Sequence, residues 1–337
     1  MSEWLGNPSN AVAPQCPISK VYKFAFRSIA RKFVKPLVTS HGNWDIREAI
    51  ILRLTDEAGR VGWGEIAPIS WFGSETLEQA LDFCHQLPKE ITEEMIFSVP
   101  DQLSACQFGF ESALEGLGEN SITQDSSLLT YSGLLPTGEA TLNQWQGLWD
   151  KGYRTFKWKI GVDAIAQELA IFHSLIHTLP NTAKLRLDAN GGLNYEQAKL
   201  WLETCDNLQR NIEFIEQPLA VEQFSQMRAL SECYSTAIAL DESVATLKEI
   251  ASVYQQGWRG IFVIKPGIVG SPSRLRQFCQ TYQIDAVFSS VFETAIGRQV
   301  ALQLAAELSR HHRAVGFGIN HFFAQEETWL QHVIQDL

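Results

Sequence analysis

Positive charge is scarce in this sequence. Lys and Arg number 27 against 38 Asp and Glu, a net charge of −11 over 337 residues. Nucleic-acid affinity rests on clustered Lys and Arg, so this balance argues against a nucleic-acid partner, though not against a small basic pocket. Cysteine pairs in metal or redox spacing are also missing. Cys16, Cys84, Cys106, Cys205, Cys233 and Cys279 form no C-x-x-C, which fits buried, reduced thiols in a reducing compartment. No run approaches the ~20 apolar residues of a membrane span. The start, MSEWLGNPSNAVAPQ, lacks a basic segment followed by an apolar one. The expectation is a cytoplasmic protein with no membrane span. Apolar residues are plentiful at 45%, enough to fill one large domain and a smaller one.

The middle of the chain is a series of short apolar strands, several ending in a charge. They read FKWKIG (156–161), KLRLDAN (184–190), IEFIEQP (212–218), IALDES (238–243) and FVIKPG (262–267). Lys159, Asp188, Glu216, Asp241 and Lys265 close them at intervals of 24–29 residues. A strand, a loop and a crossover helix take about 30 residues. With 128–136, 285–293 and 314–319 added, eight strands alternate with helices at 140–151, 163–178, 194–207, 221–232, 245–256, 271–282 and 295–310. That alternation predicts a parallel sheet, and eight units favour a closed (β/α) barrel. An open doubly wound sheet is the alternative fold, but no glycine-rich turn follows the first strand as a dinucleotide site would require.

The preceding segment has another grammar. Tyr22, Phe24 and Phe26 alternate as in a strand, and 47–66 reads as a hairpin turning at Asp56-Glu57-Ala58-Gly59. Helices are predicted near 75–87, with Ser74 or Thr76 as cap, and over 101–118. Between strand and hairpin, 28–45 reads as a basic loop carrying Arg27, Arg31, Lys32 and Lys35. The expected organisation is an α+β module over 1–125, a barrel over 126–319, and a segment 320–337 returning to the first module, with 1–18 a loose arm.

Active sites of such barrels lie at the C-terminal ends of the strands. Asp188, Glu216 and Asp241 end the third, fourth and fifth strands, so their carboxylates should converge. Three crowded carboxylates repel unless one is protonated or a cation joins them. An all-oxygen set without His or Cys favours Mg²⁺, or another hard divalent ion such as Mn²⁺, over Zn²⁺. Lys159 and Lys265 end strands four apart in a ring of eight and should face each other across the mouth. Lys157 shares the barrel-facing side of Lys159. A base beside a bound cation suits proton abstraction next to a carboxylate, with the second lysine facing the negative charge that develops. Charged residues at strand ends are common because those ends meet water; five in register, ordered Lys, acid, acid, acid, Lys, point beyond that reading. His173 with His177, and His311 with His312, have no third ligand and read as surface residues.

The set K-x-K (Lys157, Lys159), D-A-N (Asp188), E-Q-P (Glu216), D-E-S (Asp241) and I-K-P (Lys265) resembles the enolase superfamily, muconate-lactonizing subgroup, over nearly the whole chain. The resemblance implies a capping domain on a modified barrel and a small-molecule carboxylate substrate. It implies Lys159 as base, Lys265 as stabiliser of the enediolate, and Asp188, Glu216 and Asp241 as ligands of Mg²⁺. The branch it points to is a dehydratase of quinone synthesis that removes an α-proton and then water from a cyclohexadiene carboxylate. Arg186 and Asn190, two residues either side of Asp188, would support the site, as would Ser289, Ser290 and Glu293 of strand seven. Arg31, Lys32 or Lys35 would meet part of a dianionic substrate. The D-x-D that grips an α-ammonium in the subgroup's dipeptide epimerases is replaced by Gly316-Phe317-Gly318, and strand seven carries no His base. Muconate lactonization and N-acylamino acid racemization use the same two lysines and stay open, as does a catalytically dead barrel used for binding.

Overall fold

The computed structural model describes residues 20–39, 42–118, 128–208, 211–318, 320–323, 326–335 and 337. Cys16, the arm 1–18 and part of the returning segment fall outside them. The first module is a four-stranded antiparallel sheet in the order β3-β2-β1-β4. Its strands are Val21–Thr39 (β1), Gly42–Thr55 (β2), Val61–Ile66 (β3) and Glu90–Thr92 (β4). Helices α1 (Leu77–Gln86), α2 (Glu93–Phe97) and α3 (Ser104–Glu115) accompany it. Thr76 caps α1 with Gln79 in a reciprocal capping box. Helix α3 lies so close to β3 that a Cβ on Gly64 would stand 2.0 Å from the Gly109 carbonyl oxygen. Glycine is required there because backbone meets backbone.

Of the expected basic loop at 28–45, the described residues 28–39 and 42–45 are instead the far half of a long antiparallel strand pair. β1 and β2 stay paired from Lys23↔Thr55 to Thr39↔Gly42, with one register shift between Lys32 and Leu37. The inward alternation continues through Ile29, Arg31 and Phe33, all buried. A buried arginine broke the apolar pattern, and Pro36 falls in the shifted stretch where no ladder N–H is needed.

The second module is a seven-stranded parallel sheet in the order β11-β10-β9-β8-β7-β6-β5. The strands are Ser132–Leu135 (β5), Thr155–Lys159 (β6), Lys184–Asp188 (β7), Ile212–Glu216 (β8), Ile238–Leu240 (β9), Ile261–Ile264 (β10) and Asp285–Phe288 (β11). Connecting helices are α4 (Thr141–Asp150), α5 (Ile165–Thr178), α6 (Tyr195–Asp206), α7 (Phe224–Cys233), α8 (Leu247–Gln255), α9 (Pro266–Val269), α10 (Pro272–Tyr282) and α11 (Ala295–Leu308). The expected eighth strand is reduced to two bridges, Tyr131↔Val315 and Ser289↔Gly316, which join the two sheet edges and close the ring.

Period-two alternation then decides which residues face inward. Phe214, Ala239, Ile261, Val263 and Val287 form an apolar plug inside the ring. The alternate residues, including Trp158, Leu187, Ile215 and Leu240, pack outward under the helices. One pleat above the plug, the inward series ends in the charged residues. The final helix, α12 (Glu326–Gln335), brings Val333 into the first module's core. Cys84, Cys106, Cys205 and Cys279 are buried free thiols and Cys233 is exposed. His173, His177, His311 and His312 are exposed.

Candidate active site

Strand register assembles the site. Lys159 is paired in register with Asp188, and Asp188 with Glu216. Asp241 follows β9 directly and Lys265 follows β10. Lys157, Lys159, Asp188, Asn190, Asp241, Glu242, Lys265, Ser289 and Ser290 line one cavity of 440 Å³. β7, β8 and β9 separate the strands of the two terminal lysines, so Lys159 and Lys265 stand on opposed arcs of one rim.

Asp188, Glu216 and Asp241 are buried. Lys157 Nζ lies 2.7 Å from Asp188 Oδ2 and 2.7 Å from Glu216 Oε1. Lys265 Nζ pairs with Asp241 Oδ1. Burial, then the charge of Asp188, pushes the Glu216 carboxyl upward against the pull of Lys157. Burial likewise raises Asp241, with Lys265 opposing. Burial disfavours charge on Lys157, but Asp188, Glu216 and Asp241 together raise its pKa. These are the signs of carboxylates crowded enough to demand a cation. Among the described residues, no three acidic, His or Cys side chains already close around one point. Asp188 and Glu216 close on one ammonium, and Asp241 turns to another. The donor set nevertheless fits a hard divalent ion: all oxygen, buried, on three adjacent strand ends, with an ammonium bridging two of the three. Glu242 Oε2 is buried beside them without a hydrogen-bond partner, and burial raises its carboxyl pKa.

The supporting residues divide. Asn190 lines the cavity; its Nδ2 donates to Glu242 Oε1 at 3.1 Å and its N–H to Asp188 Oδ1 at 3.1 Å. Glu242 thus meets an amide. Arg186 has the right parity but sits a pleat too deep. Its Nε donates to Glu213 Oε2 at 2.7 Å, and Glu213 and Asp285 both bind Arg313, a charge cluster at the opposite end of the barrel from the cavity. Ser290 Oγ donates to Glu293, whose Oε2 also accepts from the Val291 N–H. Ser290 lines the cavity, while Glu293 shapes the turn behind it. Asn190, Gln217 and Phe292, next to the strand ends, have φ of 43°, 38° and 62°. Non-glycine residues in that left-handed region cluster at functional sites.

The basic residues of the hairpin do not reach the cavity. Arg31 is buried, donates to the Phe292 carbonyl and stacks 4.0 Å from the Phe323 ring centroid. Lys32 and Lys35 are exposed. The roof is instead aromatic, made of Trp44, Trp71, Phe72, Phe292 and Phe322. Three buried charges that sequence reasoning missed hold roof and rim together. Arg47 donates to the carbonyls of Ala67, Pro68, Glu48 and Val291, tying the first module to the turn after β11. Glu65 accepts from Thr294 N–H and Oγ1 and from Gly297 N–H, capping α11. Glu168 accepts the N–H groups of Gly161, Val162 and Asp163 at 2.8–3.0 Å, fixing the loop just beyond Lys159. No sequence pattern marks these, because their partners are backbone groups and one hydroxyl that nothing in the sequence pairs with them.

An α+β cap set over the C-terminal mouth of a (β/α) barrel, with lysines and a carboxylate cluster on the rim, defines a class of capped-barrel enzymes. Residues 140–336 match the family model described as "Enolase C-terminal domain-like", and 21–117 match "MenC, N-terminal domain". The chain belongs to the enolase superfamily. It is 39% identical over 303 residues to the o-succinylbenzoate synthase of Thermosynechococcus vestitus, covering 88% of this chain and 92% of that one. The crystal structure of o-succinylbenzoate synthase from Thermosynechococcus elongatus BP-1, complexed with Mg in the active site, superposes with a TM-score of 0.85 at 37% identity, covering 94% of this chain and all of that one. The L-Ala-D/L-Glu epimerase of Bacillus subtilis shares the fold, with a TM-score of 0.74 at 22% identity over 91% of this chain and 92% of that one. Among the described residues, no helix is long and apolar enough to cross a membrane.

Proposed function

We propose that the chain is a Mg²⁺-dependent dehydratase that converts 2-succinyl-6-hydroxy-2,4-cyclohexadiene-1-carboxylate to 2-succinylbenzoate. This is the o-succinylbenzoate synthase reaction of menaquinone and phylloquinone synthesis, and its setting would be the cytoplasm. The observation that carries this reading is the opposed placement of Lys159 and Lys265 on one cavity with the carboxylate cluster between them, in a chain 39% identical to an o-succinylbenzoate synthase.

Asp188, Glu216 and Asp241 would hold the Mg²⁺, which supplies positive charge to the substrate carboxylate and so acidifies the neighbouring C–H. Lys159, as the neutral amine, takes the α-proton. Lys265, as ammonium, faces the enediolate from the other side. The new ammonium of Lys159 returns its proton to the departing hydroxyl on the same face. C–H and C–O bonds are lost, a ring double bond forms, water leaves, and Lys159 is neutral again. The product ring is aromatic, so the elimination is strongly downhill. The aromatic roof encloses the ring and excludes water.

No acid stands at the end of the eighth segment: Gly316 and Gly318 line the cavity and Phe317 is buried, so an α-ammonium finds no partner there. The test is Mg²⁺-dependent consumption of the cyclohexadiene carboxylate beside N-acylamino acids and muconate. Preferred turnover of the first supports the proposal. Turnover of only the others would replace it with racemase or cycloisomerase chemistry.

A further inference from the structure

We propose that Phe72, a residue of the capping domain, is a positioning residue for Lys265. The inference rests on the role given to Lys265 above and adds a part for the cap in the chemistry. Lys265 Nζ lies 3.8 Å from the centroid of the Phe72 ring. A ring face carries negative potential and attracts an ammonium, most strongly where water is scarce. Lys265 is 13% exposed, so water competes little. Its other partner is Asp241, one of the three oxygen donors of the rim. An ammonium and a divalent ion compete for that carboxylate. The ring is the partner that an ion does not take, so it can hold the Lys265 ammonium toward the cavity when Asp241 turns away.

Phe72 ends a short turn, Ser70–Phe72, closed by Gly73 at φ 117°. Ser74 Oγ accepts the Ile69 N–H at 2.7 Å and steadies the start of that turn. Arg47 ties the preceding Ala67 and Pro68 carbonyls to Val291 of the barrel. The position of the ring is thus set by the seating of the cap. The cap then does more than cover the cavity: it orients one of the two lysines.

The test compares Phe72→Leu, which keeps bulk but removes the ring, with Phe72→Tyr, which keeps the ring. Phe72→Leu is expected to lower kcat about tenfold, with KM within about threefold of wild type, and Phe72→Tyr to retain kcat within about threefold. An unchanged kcat in Phe72→Leu, an equal loss in both variants, or a change confined to KM would overturn the proposal. A second measurement needs no turnover. In protein labelled with ¹³C at lysine Cε, the Lys265 signal, identified by its loss in Lys265→Arg, should be shifted upfield by the ring and return to the common range in Phe72→Leu. A Lys265 signal unmoved by Phe72→Leu overturns the proposal. Failure of the wild type to consume the cyclohexadiene carboxylate would instead overturn the proposed function.

Discussion

The Lys157 ammonium stands 2.7 Å from Glu216 Oε1 and the same distance from Asp188 Oδ2, so one half-buried cation spans two of the three buried rim carboxylates. Removing one partner of a buried ion pair costs about 3–5 kcal/mol because the remaining charge is left uncompensated. Lys157→Met should therefore lower the thermal midpoint in metal-free buffer. Mg²⁺ binding the native state adds stability by mass action and should raise the midpoint more in Lys157→Met than in wild type. Thermal unfolding with and without Mg²⁺ measures both. Equal Mg²⁺-induced shifts would contradict the bridging role.

Glu168 gathers three consecutive amides just beyond Lys159. Glu168→Ala leaves buried N–H groups without acceptors, at about 1–3 kcal/mol for each one that water cannot reach. The variant should unfold at lower urea and lose turnover, since the loop continues directly from the strand that carries Lys159, the proposed base. Denaturation curves and steady-state kinetics on the same preparation check this. Full activity with reduced stability would confine Glu168 to the fold.

Arg47 makes its hydrogen bonds to carbonyls alone, three within the cap and one, Val291, across the joint to the barrel. Burial lowers its pKa to about 10, with Glu65 opposing. Arg47→Met is expected to cost about 2–4 kcal/mol through the orphaned carbonyls. It should also loosen the roof and raise KM. Chemical denaturation and KM for the cyclohexadiene carboxylate give the two readings.

Glu213 sits between Arg186 and Arg313 at the barrel floor. Burial pushes its carboxyl up, but the two guanidinium groups outweigh this and hold the folded-state pKa below the ordinary 4.5. The unfolded state then binds more protons in that range, so stability rises with pH there. The contribution is present above the unfolded pKa and is lost as pH falls through the folded one. Urea midpoints taken from about pH 6 down to about pH 3 should fall less steeply for Glu213→Gln than for wild type. Identical slopes would contradict the pairing.

The barrel is legible because its inward residues keep a period of two and five of its seven strands end in or run into a charge: Lys159, Asp188, Glu216, Asp241 and Lys265 declare themselves. The same parity misplaced Arg186, since alternation tells the face and not the depth. Residues 28–39 and 42–45 read as a loop because a buried arginine, Arg31, interrupts the apolar alternation; it donates to the Phe292 carbonyl and stacks on the Phe323 ring. Its neighbours Lys32 and Lys35, read as substrate contacts, point outward. The roof residues Phe72 and Phe292 and the fasteners Arg47 and Glu65 depend on how the cap docks on the barrel, which no local pattern in the chain encodes.

The most direct measurement is turnover of 2-succinyl-6-hydroxy-2,4-cyclohexadiene-1-carboxylate by wild type and Lys159→Ala, each after EDTA treatment and again after Mg²⁺ is restored. Wild type should be active only with Mg²⁺. With Mg²⁺ restored, Lys159→Ala should stay folded and turn over about 10²–10⁴ more slowly than wild type. Rapid turnover by Lys159→Ala, or by EDTA-treated wild type, would contradict the account.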